Sequence, residues 1–488
     1  MRALLGLFCL VAMSPGGAAE PSPPPPAPPT DLKYDVEYPF IGYSEHASNN
    51  AISRLQGRLD RGELKLESRG PRGYLDSLLR ALGIDSSSQT LVFSKSSMQI
   101  EAISAATPRA LYFNDDTYVG WVQGGLIEVA TMDTELGPVF YTLQNQTTGP
   151  ARFDREMQRC LVCHDTFSLS GGGVPRFLFQ SAFTRTNGDV MTDVVATETS
   201  DQTPLEDRWG GWYVTGGQGE LVHLGNIMKD PAKNPVKLAQ VSRGNLSTLE
   251  GLFPTSPYIT NKSDIVALLV LDHQVYVHDL ITRANYKTRW LMAKTGAPSA
   301  AADGPWAGLP PRTQAAFKPM LEQLVQAMLF VNAAPLSGNI ASGSGFDAWF
   351  QAQGPRDRQG RSLREFDLKT RLFKYPLSFL IYSAGFDHLP AAAKDFVYGR
   401  LNEILSGRDQ SAPYAQIPAE RRKDLLEILD ETKPDFAHAS NPMPTGAHDT
   451  GSLTHLQFSF ESDSAPLVIS ITARSSTCAM RLCSSGEA

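Results

Sequence analysis

The sequence predicts an α+β fold with a β-hairpin-rich N-terminal half and a mostly α-helical C-terminal half. Two patterns support this prediction. Short β-branched and aromatic runs in the first half are separated by Asn-Asp, Gly-Gly and Gly-Pro, which is typical of antiparallel hairpins. The second half repeats apolar residues at the spacing of amphipathic helices. Because 42% of the 488 residues are hydrophobic, a wholly disordered chain is excluded.

The N-terminal half contains a predicted helix at 74–82, which stops at Gly83. Predicted strands follow at 91–93, 110–113, 118–122, 126–129 and 139–143. Residues 150–260 are rich in Gly and Pro, and few regular elements are expected there beyond strands at 212–214 and 221–224.

The C-terminal half is expected to be built from helices. The longest spans 263–290, with Ser263 as its N-cap and a basic C-terminal end that suits the helix dipole. Further amphipathic segments lie at 313–332, 364–384 with a break at Pro376, 391–406 and 418–430. Residues 436–488 are predicted to be a low-order tail, in which 456–472 could pair as a strand.

The N-terminus predicts export from the cytoplasm. Residues 1–19 combine Arg2, a short apolar core and small residues before a cleavage site near Ala19, which is typical of a signal peptide. Residues 20–36 form a Pro-rich linker expected to be extended. The protein is therefore predicted to be periplasmic or secreted.

The charge balance restricts the partners. The formal net charge is -7 and the pI is about 5.8, so the chain lacks the basic character of a nucleic-acid binder. No uninterrupted apolar run reaches the ~18–20 residues needed to cross a bilayer, so we do not expect an integral membrane protein.

One motif carries chemistry. Cys160, Cys163 and His164 form C-x-x-C-H, the attachment signature of haem c. Two thiols three positions apart can each form a thioether with a vinyl group of the porphyrin, and the following imidazole then reaches the iron. We therefore expect one covalent haem c with His164 as proximal ligand, held in an α+β region at 37–300 and followed by a helical region at 301–435.

Three other interpretations of the two cysteines stay open. They could form a structural disulfide in an oxidising compartment. They could join Cys478 and Cys483 in a zinc site, although that second pair lies in the predicted tail. They could also be a thioredoxin-like redox pair, which needs a strand leading into a helix.

The sixth iron position has three candidate ligands. His273 lies in the middle of the longest predicted helix, and His223 follows a predicted strand. Met228 lies 64 residues after His164, a spacing like that of small class I cytochromes c. His278 is about 140° around the helix from His273, so the two are not expected to face one iron.

Six segments of the chain carry a family resemblance. They are Leu91-Val-Phe-Ser-Lys-Ser, Pro108 to Val122, Cys160 to His164, Arg208-Trp-Gly-Gly-Trp-Tyr-Val-Thr-Gly, His273-Gln with Leu280 to Tyr286, and Arg361 to Phe373. These segments resemble a family of exported bacterial cytochrome c-like proteins with a single C-x-x-C-H motif. The resemblance covers about residues 40–430, implies haem binding and a role in electron transfer, and brings no established reaction with it. Arg176 stands where the family often has Gly, and the end of the tail is unlike the family.

The sequence thus predicts a periplasmic haem c protein that acts in one-electron transfer with a redox partner protein. The alternatives are a haem-dependent, peroxidase-like oxidoreductase acting on a small-molecule substrate, or a haem-based sensor of a small ligand. A simple electron carrier does not need over 400 residues, so the length of the chain favours the peroxidase-like oxidoreductase. Whether the protein is an enzyme depends on the sixth iron position, because a second strong ligand favours electron transfer and an open site favours catalysis or sensing.

Overall fold

The computed structural model describes residues 41–145, 150–165, 174–191, 197–228, 246–294 and 306–440, and the backbone of 455–460, 467–474 and 477–479. The predicted signal peptide (1–19) and Pro-rich linker (20–36) lie outside the described residues.

The N-terminal half is a seven-stranded antiparallel sheet with two helices on one side. Its strands run in the order β6-β5-β4-β3-β2-β1-β9. The helices are α1 (Ala51–Asp60) and α2 (Leu75–Leu82), and the sheet strands are β1 (Thr90–Val92), β2 (Arg109–Phe113), β3 (Thr117–Trp121), β4 (Ile127–Asp133), β5 (Gly137–Leu143), β6 (Phe153–Glu156) and β9 (Trp212–Tyr213). The predicted hairpins and the α+β class are confirmed.

Small elements connect this sheet to the rest of the chain. After β6 come α3 (Gln158–His164), β7 (Gln180–Ser181) paired with β8 (Thr197–Glu198), and, beyond β9, β10 (Gly217–Gln218) paired with β11 (Ile340–Ala341). Short 3-10 turns cover Gly70–Arg72, Ser86–Ser88, Ile100–Ala102, Leu205–Asp207, Trp306–Gly308 and Phe379–Tyr382.

The C-terminal half is helical, as predicted. Its helices are α4 (Ile265–Lys294), α5 (Pro311–Met328), α6 (Phe346–Ala352), α7 (Ala384–Asp387), α8 (Ala391–Leu405), α9 (Ala412–Ala415), α10 (Ala419–Thr432) and α11 (Pro434–Ser440). Helix α4 packs against α5, and α8 packs against α5, α10 and α11.

The strand register gives the sheet two distinct sides. One side of the sheet faces α4 and is called the helix side; on it, Phe140, Ala130, Tyr118 and Phe113 are paired across β5, β4, β3 and β2. Phe113 and Tyr118 belong to the hydrophobic cluster that contains α4 and the C-terminal helices. Residues of the opposite side belong to a second cluster that includes side chains of α1 and α2. The helix side of the sheet is therefore the surface on which the rest of the molecule is built.

Helix α4 is the central helix of the core. By length and composition Ile265–Ala293 could span a membrane, but its most apolar window is 89% buried inside the protein, as in the core helix of a globular fold. Because it is surrounded by protein, its polar side chains need partners from other segments. Those side chains are Asp272, His273, Gln274, His278 and Asp279.

The prediction of a helix at 364–384 was wrong for most of that segment. Residues 364–378 contain no helix, and Phe366 instead bridges to Phe373. The side chain of Asp367 accepts hydrogen bonds from the backbone N–H groups of Lys369 and Thr370 at 2.8 and 2.7 Å. The Asp367 side chain thus binds backbone N–H groups that a helix would need for its own hydrogen bonds. Helical structure begins again only at the 3-10 turn Phe379–Tyr382 and at α7.

Other differences are local. The cap of α4 is Asp264, whose carboxylate accepts from Val266 and Ala267 N–H, whereas Ser263 donates to the carbonyl of Tyr213. Residues 221–224 do not form the predicted strand. Within the predicted low-order tail, β12 (His455–Phe460) pairs with β13 (Leu467–Arg474), which pairs with β14 (Thr477–Ala479), so the suggested strand at 456–472 is a hairpin.

Candidate haem attachment site

Helix α3 places the three residues of the motif on one face. It begins shortly after the edge strand β6, and its Leu161 packs against the second hydrophobic cluster. In a helix, positions i, i+3 and i+4 share a face, so Cys160, Cys163 and His164 point the same way. The thiols of Cys160 and Cys163 are not bonded to each other; Cys160 is half-buried and Cys163 is exposed. The structure therefore does not contain the Cys160–Cys163 disulfide that stayed open above.

His164 is held by two reciprocal hydrogen bonds with Arg176. Its Nδ1 lies 2.7 Å from the carbonyl oxygen of Arg176, and the N–H of Arg176 donates to the carbonyl of His164 at 3.0 Å. The imidazole packs on Phe140, on the helix side of the sheet, with 4.4 Å between ring centroids. Because a carbonyl only accepts, Nδ1 carries the proton and Nε2 carries the lone pair. No described residue hydrogen-bonds to Nε2.

The electrostatic environment keeps this imidazole neutral. Burial lowers the pKa of His164 to about 4, and the positive charges of Arg109 and Arg176 act in the same direction. Arg109 pairs with Glu128, and Arg176 pairs with Glu198 at 2.7 Å. A neutral imidazole with a free Nε2 is the form that binds a metal.

The thiol environment argues against a thioredoxin-like pair. Burial, together with the nearby carboxylate of Glu156, raises the pKa of Cys160 to about 12. Catalytic thiols of that class have lowered pKa values, which give a thiolate at neutral pH. The motif also follows an edge strand that carries acidic residues, and the field of these residues disfavours a thiolate.

His273, a candidate sixth ligand, has both ring nitrogens occupied. Nδ1 lies 2.7 Å from the carboxylate of Asp201, and Nε2 lies 2.8 Å from the hydroxyl of Ser378. The ring is fully buried and stacks on Phe330 at 4.1 Å. Both contacts must break before His273 could bind iron, so the geometry gives it a structural role and does not favour ligation.

Ser378, His273 and Asp201 are hydrogen-bonded in the order of a Ser-His-Asp catalytic triad, but a substrate cannot reach them. The hydroxyl of Ser378 also accepts from the N–H of Leu380 at 3.3 Å, as a helix cap, and Ser378 is fully buried. A cavity of about 240 Å³ lies beside the cluster and is lined by Asp201 and Phe330, but not by Ser378 or His273. A nucleophile sealed in this way cannot reach a substrate.

His223 and Met228 are also placed away from an obvious ligand role. The Nδ1 of buried His223 accepts from the N–H of Gly225 at 3.1 Å, which puts the proton on Nε2, the atom that would have to bind iron. Met228 is half-buried against the second hydrophobic cluster. No hydrogen bond or ring contact among the described residues joins His223, His273 or Met228 to His164, so the sixth ligand stays a prediction.

Sequence reasoning missed the polar contacts between α4 and the segments packed around it. Asp272 of α4 accepts from the guanidinium of Arg208 at 3.1 Å and from the indole N–H of Trp209 at 3.0 Å. Asp279 of the same helix accepts from the N–H of Phe177 at 2.8 Å. The available signal was the presence of Asp and His pairs inside a strongly apolar helix, since buried polar groups require partners.

The described residues do not offer the ligands of a zinc site. Within the described residues, no group of three or more His, Cys, Asp or Glu side chains is placed to hold a metal ion, as a closed zinc site requires. Cys483 lies outside the described residues. A haem needs only one protein nitrogen and two thiols, which is what α3 offers.

The chain was compared with protein-family models, with curated proteins and with solved structures, and it has no significant match in any of the three comparisons.

Proposed function

We propose that the protein is an exported, cytochrome c-like protein in which Cys160 and Cys163 bind one haem c covalently and His164 is its proximal ligand. The observation that supports this best is the state of His164. Its Nδ1 lies at the Arg176 carbonyl and its Nε2 has no hydrogen-bond partner among the described residues, on the same helix face as two free thiols. Residues of this type at this spacing fit haem c.

The chain's own residues would supply attachment, orientation and charge. The hydrogen bond to the Arg176 carbonyl fixes the tautomer and the rotation of the imidazole, and the ring of Phe140 supports it from the sheet. Arg109 and Arg176, which pair with Glu128 and Glu198, lie close to His164 and favour its neutral form. When bound, haem supplies an Fe(III)/Fe(II) couple that takes up and releases one electron.

In this proposal the protein transfers single electrons with a periplasmic redox partner. A peroxidase-like oxidoreductase and a small-ligand sensor are the alternatives, and the sixth iron position separates them. Visible spectra of the oxidised and reduced protein, with and without carbon monoxide, measure that position directly. A low-spin iron that ignores carbon monoxide supports electron transfer, whereas a high-spin iron that binds it supports one of the alternatives.

The attachment itself is tested by replacing both thiols. Cys160→Ser combined with Cys163→Ser should abolish haem staining of the matured protein in a denaturing gel, because no thioether can form. Cys478→Ser is the matched control, since it removes a thiol of the tail and should retain full staining. A wild-type protein without a Soret band, or a double variant that still stains, would contradict the proposal.

A further inference from the structure

The peptide group between Arg176 and Phe177 connects the proposed iron ligand to helix α4. Its carbonyl oxygen lies 2.7 Å from Nδ1 of His164, and its N–H donates to the carboxyl of Asp279 at 2.8 Å. In a planar trans peptide the C=O and N–H point in opposite directions. One peptide group therefore lies between an imidazole on one side and a partly buried carboxyl on the other.

The surroundings hold this peptide group in place. The ring of Phe177 packs on Tyr118 of the sheet at 4.6 Å and on His278 of α4 at 5.7 Å. Asp279 itself lies near the middle of a 30-residue helix in the core. The orientation of the Arg176 carbonyl is thus fixed by the sheet and by α4, and not by α3 alone.

Hydrogen bonds that share one peptide group strengthen each other. An acceptor on the N–H side increases the negative partial charge of the carbonyl oxygen, which then attracts the Nδ1 proton more strongly. A stronger Nδ1–H···O bond makes the ligand more basic and favours ferric over ferrous iron. Burial raises the pKa of Asp279, and Arg176 and Glu198 are the charged groups that face it. A carboxyl oxygen accepts this N–H whether or not the group is ionised.

We propose that Asp279 is a positioning residue for the haem iron, which acts on His164 through the Arg176–Phe177 peptide and lowers the reduction potential. This inference rests on the proposed function, since it assigns Asp279 a role toward the haem that His164 would bind. It adds a residue 115 positions away in sequence, on a different element, that the C-x-x-C-H motif does not reveal.

The test compares haem-loaded variants of the full-length protein. Asp279→Leu keeps the branched shape of the side chain and removes the acceptor, and we expect the ratio of ferrous to ferric haem at a fixed applied potential to rise about tenfold. The Nδ1–H of His164 should also exchange faster with solvent, as measured by NMR of the reduced protein. Asp279→Asn retains an acceptor oxygen and should recover part of both effects. Asp279→Ala is the second acceptor-free variant if the Leu variant does not fold.

Glu198→Gln is the matched control. It removes the carboxylate that pairs with the Arg176 side chain and leaves both hydrogen bonds of the peptide group, so the exchange of the Nδ1–H should stay at the wild-type rate. A haem-loaded, acceptor-free variant with the wild-type potential and exchange rate would overturn the role of Asp279 alone. A matured wild-type protein without haem would overturn the proposed function as well, and the haem stain distinguishes the two failures.

Discussion

His164 and His273 are both held by a hydrogen bond at Nδ1, and they differ in the other nitrogen. His164 lies on a short helix at the sheet edge, with Nδ1 on a carbonyl and no described hydrogen-bond partner at Nε2. His273 lies in the centre of the core, between the carboxylate of Asp201 and the hydroxyl of Ser378. The same side chain is available for a ligand in one region and is fully used by the fold in the other.

This difference shows what decides between a functional and a structural histidine. An imidazole has two nitrogens, and a metal ligand needs one for the metal and one for an orienting partner. A histidine whose two nitrogens both bind protein contributes to stability instead. The two regions should therefore respond to substitution in opposite ways.

The largest effect on stability is expected at His273. His273→Ala removes two buried hydrogen bonds and leaves the carboxylate of Asp201 without this partner, which should lower the free energy of unfolding by about 3–5 kcal/mol. Urea denaturation monitored by circular dichroism measures this loss. A variant of unchanged stability whose haem spectrum is altered would show that His273 is an iron ligand after all.

His164→Ala should have the opposite balance of effects to His273→Ala, with a small change in stability and a large change in the haem spectrum. It removes a half-buried ring with one side-chain hydrogen bond, so the free energy of unfolding of the haem-free protein should fall by only about 1 kcal/mol. The haem spectrum, in contrast, should lose the signature of its proximal nitrogen. If both variants lost stability equally, the distinction drawn between the two regions would be wrong.

The next effect concerns pH and the buried His223. Burial lowers the pKa of His223 from 6.5 to about 4, so the unfolded chain binds a proton in this interval before the folded chain does. Stability should therefore fall as the pH drops from 6.5 to 4, and His223 should contribute up to about 3 kcal/mol of that loss.

His223→Asn tests this contribution. Its side-chain oxygen replaces Nδ1 as the acceptor for the N–H of Gly225, and it does not titrate. Urea unfolding midpoints at pH 7 and pH 4.5 should differ less in this variant than in the wild type. An equal pH dependence in the two proteins would assign the acid sensitivity to other groups, among them His164 and His278, whose pKa values are also lowered.

The smallest effect is expected at Val162, between the two cysteines. Its side chain is 65% exposed and lies on the face of α3 opposite the thiols. Val162→Ser should change the free energy of unfolding by less than about 0.5 kcal/mol and leave haem staining intact. Leu161→Ser, one position earlier, is the comparison, because Leu161 packs against the core and its loss should be measurably destabilising. Loss of staining in Val162→Ser would mean that the opposite face of α3 also contacts the haem.

Local patterns predicted most of the fold. Strands β1 to β5 alternate with turn residues, and α4, α8 and α10 have helical spacing, so their existence could be derived without tertiary information. The prediction at 364–384 was wrong because the backbone donors after Asp367 bind its side chain, a competition that apolar periodicity does not report.

The haem c site is predicted from the sequence alone and stays a prediction, whereas the contacts around His164 come from the fold. Cys160, Cys163 and His164 are close in sequence, so their spacing is enough to predict haem attachment. The carbonyl of Arg176, the ring of Phe140 and the carboxyl of Asp279 reach His164 only through the folded sheet and α4. Both nitrogens of His273 are occupied by partners 72 and 105 residues away, a distance at which sequence patterns carry no signal.

The exposure of Cys163 at the edge of the sheet has a consequence for biogenesis. A thiol that faces solvent can be reached by an external ligation apparatus after the strands beneath it have formed. The neighbouring imidazole is already aligned by the backbone of Arg176 at that stage. If haem c is attached as proposed, Cys163 therefore stays accessible for thioether formation in the folded chain.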